Sequence, residues 1–136
     1  MPSSLQSDKS RWCHYNIAYH FVWIPKYRRK ILITEVMAET KRLLHECADK
    51  YQMKIIALET DIDHVHVFVS APPRMSPSYI ANLLKGYSSR FLRLKYPNLK
   101  KLCGKEQLWT KAYYVGTAGN MSAETIRRYI SECQGK

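Results

Sequence analysis

Acidic side chains are scarce in this chain: 11 against 22 lysines and arginines, a formal charge of +11 over 136 residues. That imbalance says little about fold and much about partners, because it favours polyanions. Nucleic acid leads; an anionic membrane surface comes second, weakened because the basic residues are spread along the chain rather than gathered on one amphipathic helix. Cysteines are few and isolated. Cys13, Cys47, Cys103 and Cys133 form no C-x-x-C pair, which argues against a disulfide scaffold and for free thiols in a reducing cytoplasm. Nothing marks a secretory signal, and no apolar run approaches the roughly 18 residues of a spanning helix, so no membrane partner is expected. Internal repeats and breaks in composition are also missing. With 46% apolar and 12% aromatic residues, the chain predicts one globular domain at residues 11–136 behind a loose polar tail at residues 1–10.

Trp12 to Ile24 is aromatic and β-branched and predicts a long first strand ended by Pro25. A charge run follows, Lys26-Tyr27-Arg28-Arg29-Lys30. Such runs are usually solvated faces, yet an aromatic among four cations also suits a nucleic-acid backbone with the ring free to stack on a base. Helical spacing runs from Glu35 to Tyr51 through Val36, Leu43, Leu44 and Cys47, and Lys54 to Thr60 predicts a second strand. Asp61-Ile62-Asp63 is a tight connection into the apolar strand that starts at His64 and ends at Pro72-Pro73. Ser76-Pro77 opens a helix that runs to Tyr96, with Ile80, Leu83, Leu84, Tyr87, Phe91 and Leu94 inward and Lys85, Ser88, Ser89, Arg93 and Lys95 outward. Leu108 to Thr117 predicts a fourth strand, with Gly116 and Gly119 making its exit flexible. Ser122 caps a last helix, lined by Ile126, Tyr129, Ile130 and Cys133. The order βαββαβ plus a C-terminal helix predicts an α+β, ferredoxin-like (RRM-like) antiparallel sheet with its helices on one face.

The chemistry starts at His64 and His66. Residues i and i+2 of a strand share a face, about 6.5–7 Å apart along the chain, so two imidazoles can lean onto one ion. Most such pairs are ordinary, partly exposed histidines. Here oxygen ligands are close in sequence: Asp61 and Asp63 before the pair, Glu132 and Gln134 in the last helix. Two imidazoles with one or two oxygens and open positions suit Mg²⁺ or Mn²⁺ better than closed structural zinc; Cys133 would favour zinc but has no second cysteine beside it. Tyr129, beside Arg127 and Arg128 on a short helix, either closes the core with Ile126 and Ile130 or serves as a nucleophile. A phenol of ordinary pKa about 10 attacks poorly at neutral pH unless a cation neutralises the phosphate.

His64-Val65-His66 with the downstream Tyr129 resembles the single-tyrosine HUH transposases of the insertion-sequence-two-hundred group. The resemblance also takes in His20-Phe21-Val22-Trp23, Pro25-Lys26-Tyr27-Arg28-Arg29, Leu84-Lys85-Gly86-Tyr87-Ser88-Ser89-Arg90, Leu108-Trp109, Tyr113-Tyr114-Val115, Gly119 and Ile126 to Ile130, which is nearly all of the chain after the tail. It implies a small ferredoxin-like homodimer that cuts and rejoins single-stranded DNA beside hairpin ends of a mobile element. Tyr129 would form a 5′-phosphotyrosine link and release a 3′-OH. His64 and His66 would hold the divalent ion. The tyrosine helix would serve the partner's histidines across the Gly116–Gly119 hinge.

The chain departs from the pattern at one position. A glutamine commonly stands four residues after the tyrosine as third ligand, and here that position is Cys133. At about 100° per residue, Gln134 lies roughly 140° around the helix from Tyr129 and Glu132 about 60°. Gln134, Glu132 and Asp61 therefore all stay open as third ligand, with Gln134 as the working choice. Lys26, Tyr27, Arg28, Arg29, Lys85 and Arg90 are the candidate DNA contacts, by phosphate pairing and stacking. Three other readings remain: a non-catalytic nucleic-acid binder on the same sheet, a metal-storage or metal-sensing protein, and a domesticated relative that processes genomic hairpins.

Overall fold

A computed structural model describes residues 8–9, 14–15 and 17–117. The chain runs β1 (Asp8–Lys9), β2 (His14–Tyr15), β3 (Ala18–Trp23), a short 3-10 turn (Lys26–Arg28), α1 (Thr34–Lys50), β4 (Lys54–Asp61), β5 (His64–Ser70), α2 (Pro77–Lys95), α3 (Asn98–Cys103) and β6 (Tyr114–Thr117). β1 pairs with β2. The other four strands form one antiparallel sheet in the order β4-β5-β3-β6. α1 carries the chain from β3 past β5 to β4, and α2 carries it from β5 past β3 to β6. This is the predicted ferredoxin-like arrangement; the C-terminal helix and Tyr129 lie outside the described residues.

β5 sits between two neighbours and is buried along its whole length. Val65, Val67 and Val69 face the helices, where with Phe21 and Trp23 of β3 they pack on Leu43, Leu44 and Cys47 of α1 and Ile80, Leu84 and Leu92 of α2. β-branched side chains suit that pleated, enclosed surface. His64, His66, Phe68 and Ser70 take the opposite face. α2 begins as predicted: the Tyr79 N–H donates to the Ser76 hydroxyl at 3.1 Å, with Pro77 in the first turn. Across the helices, the Arg42 guanidinium and the Lys95 ammonium both reach Glu39 (2.6 and 3.3 Å), and the Tyr87 hydroxyl donates to Glu46.

Three expectations are corrected. The first strand does not run from Trp12 to Ile24. Its ladder on β5 stops at Ala18–Ser70, because Pro72 and Pro73 lie just beyond and cannot donate to a ladder. α3 fills the stretch after Pro97, to which the sequence assigns no element. Ser88 and Ser89 are not solvated but buried. The fourth strand starts at Tyr114 rather than Leu108, because the groups between are already taken by α2: the Leu108 N–H donates to Ser89 Oγ (2.9 Å), the Trp109 indole N–H to Ser88 Oγ (3.0 Å), and Lys85 Nζ to the carbonyls of Thr110, Lys111 and Ala112 (2.7, 3.1 and 3.3 Å). Gly116 belongs to β6 opposite His20; a Cβ there would come 3.0 Å from the Tyr114 hydroxyl. Within the described residues its role is therefore close packing, and Gly119 lies outside them.

The Ser88–Trp109 contact can be weighed directly. Both side chains are buried, so Ser88→Ala leaves an indole N–H without an acceptor. We expect a loss of about 1–3 kcal/mol in urea unfolding followed by tryptophan fluorescence, against a negligible change for the exposed Ser78→Ala.

Candidate functional site

The sheet face opposite the helices carries three buried histidines: His20 from β3, His64 and His66 from β5. The strand period places the β5 pair together, and their ring centroids are 4.5 Å apart with planes at 86°. His20 stacks against His66 at 6.3 Å and 13°, with the Tyr114 ring edge-on at 5.9 Å on its other side. A β-bulge between Ile55 and Ala57 supplies the acidic border. The extra residue shifts the alternation of β4, so that Glu59 stands opposite His66 and Asp61 opposite His64. Without it those carboxylates would point toward the apolar core.

Burial decides the charge state. His66 is pushed down from 6.5 to about 3, chiefly by desolvation and then by the neighbouring His64 and His20, with Asp61 opposing weakly. Desolvation alone lowers His20 to about 4. Both rings are neutral at physiological pH, the form that binds metal. His64 Nδ1 lies 2.6 Å from Asp63 Oδ1, and Arg28 Nε donates to Asp63 Oδ2 at 2.9 Å. Burial would raise the Asp63 carboxyl, but the bond from His64 and the charge of Arg28 outweigh it and hold it below the ordinary range.

His64 Nε2 and both ring nitrogens of His66 are buried without a hydrogen-bond partner among the described residues. Buried polar atoms are normally satisfied, and an imidazole pair at nitrogen–metal distances of about 2.0–2.1 Å in the zinc case would satisfy them. The donor set therefore fits a divalent cation as far as it goes. Among the described residues no group of three or more His, Cys, Asp or Glu is arranged to hold a metal. The remaining ligands have to come from elsewhere. Asp63 is already engaged on both oxygens; Tyr129, Glu132, Cys133 and Gln134 lie outside the described residues.

The other candidates separate. Lys26–Arg28 form the tight turn after Pro25, held by Lys26 N–H to the Leu108 carbonyl and Arg28 N–H to the Pro25 carbonyl, both 2.9 Å. Tyr27 and Arg28 adopt left-handed φ of 61° and 49°, uncommon for side chains of this kind, and Tyr27 is presented 76% exposed with the Arg29 guanidinium 5.8 Å from its ring centre. Arg90 is exposed on α2 over Phe91. Lys85 is different. All three ammonium donors are on carbonyls of residues 110–112, so it braces that segment and is left out of the nucleic-acid surface proposed below. A cleft of about 520 Å³ along α2 is lined by Lys85, Ser89, Arg93 and Trp109 among others. None of the histidines lines it, and Arg93 is bound to the Ser89 and Lys105 carbonyls. Sequence reasoning assigned His20 no role; strand alternation alone cannot show that β3 lies beside β5.

Comparison with known proteins agrees with this geometry. The family model described as "Transposase IS200 like" matches residues 13–133. The chain is 32% identical over 132 residues to the ISDra2 transposase TnpA of Deinococcus radiodurans, covering 97% of this chain and 94% of that one. It is 34% identical over 121 residues to the transposase for insertion sequence element IS200 of Salmonella typhimurium, covering 89% and 77%. Among solved structures, the crystal structure of a protein assigned as a transposase from Deinococcus radiodurans R1 superposes with a TM-score of 0.76 at 31% identity over 92% of this chain and 96% of that one. A REP-associated tyrosine transposase bound to a REP hairpin shares the fold at a TM-score of 0.57 and 14% identity, over 92% and 68%.

The buried neutral rings predict a pH dependence of stability. The unfolded chain takes protons near pH 6.5 that the native state refuses down to about 4 at His20 and about 3 at His66. Stability is therefore full above pH 6.5 and falls as pH drops through that window, by up to about 1.4 kcal/mol per pH unit for each ring. His20→Phe is expected to flatten the decline between pH 6.5 and 4 in urea titrations with chelator present. An unchanged slope would refute the assignment.

Proposed function

The chain belongs to the IS200-like transposase family, a family of enzymes that cut and transfer DNA, and from that premise we propose that it cleaves and rejoins single-stranded DNA by transesterification through Tyr129. The reading is supported above all by the histidine pair: two imidazoles on one sheet face, with three buried ring nitrogens that no group among the described residues satisfies. His64 and His66, with Gln134 as a further ligand, hold a divalent cation, Mg²⁺ or Mn²⁺. That ion supplies Lewis-acid polarisation of the scissile phosphate and stabilises charge on the departing oxygen.

Tyr129 supplies the nucleophile. Its phenolic oxygen bonds to phosphorus, the bond from phosphorus to the 3′ oxygen breaks, and the strand leaves with a free 3′-OH while the 5′-phosphate stays on the tyrosine. The ester keeps the energy of the phosphodiester, so a 3′-OH rejoins the strand by the reverse step without a nucleotide cofactor. Lys26, Arg28, Arg29 and Arg90 pair with phosphates and Tyr27 stacks on an unpaired base, in keeping with the formal charge of +11. The substrate is single-stranded DNA with hairpin ends, and the working unit is a cytoplasmic homodimer in which the tyrosine helix reaches the partner's histidines.

Incubating the protein with end-labelled hairpin DNA and Mg²⁺ or Mn²⁺ should give a protein-linked strand on a denaturing gel. Tyr129→Phe should abolish the adduct and leave hairpin binding nearly intact, and His66→Ala should reduce it about 100-fold or more, the scale of removing one charge-stabilising group. Binding without any adduct in the wild type would instead establish a non-catalytic binder.

A further inference from the structure

Asp63 sits in the turn between β4 and β5, next to the histidine pair, and looks in sequence like one more oxygen ligand. Its bonds say otherwise. Oδ1 lies 2.6 Å from His64 Nδ1 and Oδ2 receives Arg28 Nε at 2.9 Å, with the Asp63 side chain 13% and the His64 side chain 5% exposed. A carboxylate paired with a guanidinium only accepts. Nδ1 of His64 must therefore carry the proton. In the metal-binding form of the ring that is its one proton, so Nε2 is the lone pair offered, and that atom is buried and without a hydrogen-bond partner among the described residues. His66 has no comparable clamp: neither of its ring nitrogens has a hydrogen-bond partner.

We propose that Asp63 is a positioning residue: it fixes His64 as the Nδ1–H tautomer and aims Nε2 into the site, while Arg28 locks the carboxylate from the other side and ties the basic turn at Lys26–Arg28 to the histidine strand. The proposal rests on the metal reading above for its purpose, not for its geometry. Outer partners of this kind set the tautomer and basicity of a ligating histidine, and losing one typically weakens metal affinity about 10–100-fold. The pair is then unequal by construction, with His64 pre-set before any ion arrives and His66 adjusting to it.

The test is nitrogen NMR of the histidine rings in metal-free, isotope-labelled protein near neutral pH, followed by Mn²⁺ titration watched by electron paramagnetic resonance. In the wild type His64 should be protonated on Nδ1 and bare on Nε2. Asp63→Asn keeps an acceptor and should preserve that tautomer; Asp63→Ala should shift the ring toward the Nε2–H form and weaken Mn²⁺ binding about 10–100-fold. Arg28→Ala should keep the tautomer. A wild-type His64 carrying its proton on Nε2, or an Asp63→Ala protein with the wild-type tautomer and Mn²⁺ affinity, overturns the proposal. A wild type that shows the Nδ1–H ring but binds no Mn²⁺ overturns the metal reading and upholds the clamp.

Discussion

Two imidazoles on the central strand of a sheet are an expensive arrangement unless something binds their nitrogens. An unsatisfied buried polar atom costs about 1–3 kcal/mol, and His64 and His66 together bury three ring nitrogens without hydrogen-bond partners. Apolar residues at the same positions would extend the Val65, Val67 and Val69 pattern to both faces at no such cost. The fold accepts the cost and removes charge from the problem, since desolvation drives His66 down to about 3 and His20 to about 4. What results is a pair of buried imidazoles held on a paired strand, with His66 kept neutral, which a loop could not offer.

The rest of the sheet serves that placement. β5 is central because β4 and β3 both pair with it, and the ferredoxin-like crossing of α1 and α2 covers only one face. The opposite face carries His20, His64 and His66. The bulge at Ile55/Ala57 lets β4 serve two masters: Ile55 and Leu58 pack against the core, while Glu59 and Asp61 come round to the histidines.

How much of this was legible in the sequence follows from the range of each interaction. The period-2 argument for His64 and His66 is local and holds, as does the Ser76-Pro77 helix start. The ordered motifs carried the family, and with it the fold. Expectations failed where a segment's backbone partners are distant in sequence. Leu108 to Ala112 reads as strand by composition, yet its hydrogen-bonding groups are met by Ser88, Ser89 and Lys85 some twenty residues earlier and by Ile24 and Lys26 further back. His20 was silent for the same reason, since only the pairing of β3 with β5 brings it against His66.

Positive charge divides accordingly into two kinds with different work. Lys85 sits in the Leu84 to Arg90 motif and Arg93 three residues beyond it, but both donate to carbonyls of their own chain, and moving either onto a phosphate would take that donor from those carbonyls. The turn at Lys26–Arg28 has the opposite character. Its backbone is held in a left-handed conformation that costs energy, the effect of which is to present Tyr27 to solvent and set the half-exposed Arg28 on Asp63. A turn strained in that direction joins an exposed stacking ring to the carboxylate behind His64 through one guanidinium. An exposed aromatic ring and the guanidinium on the Asp63 carboxylate are thereby carried by adjacent residues of one turn.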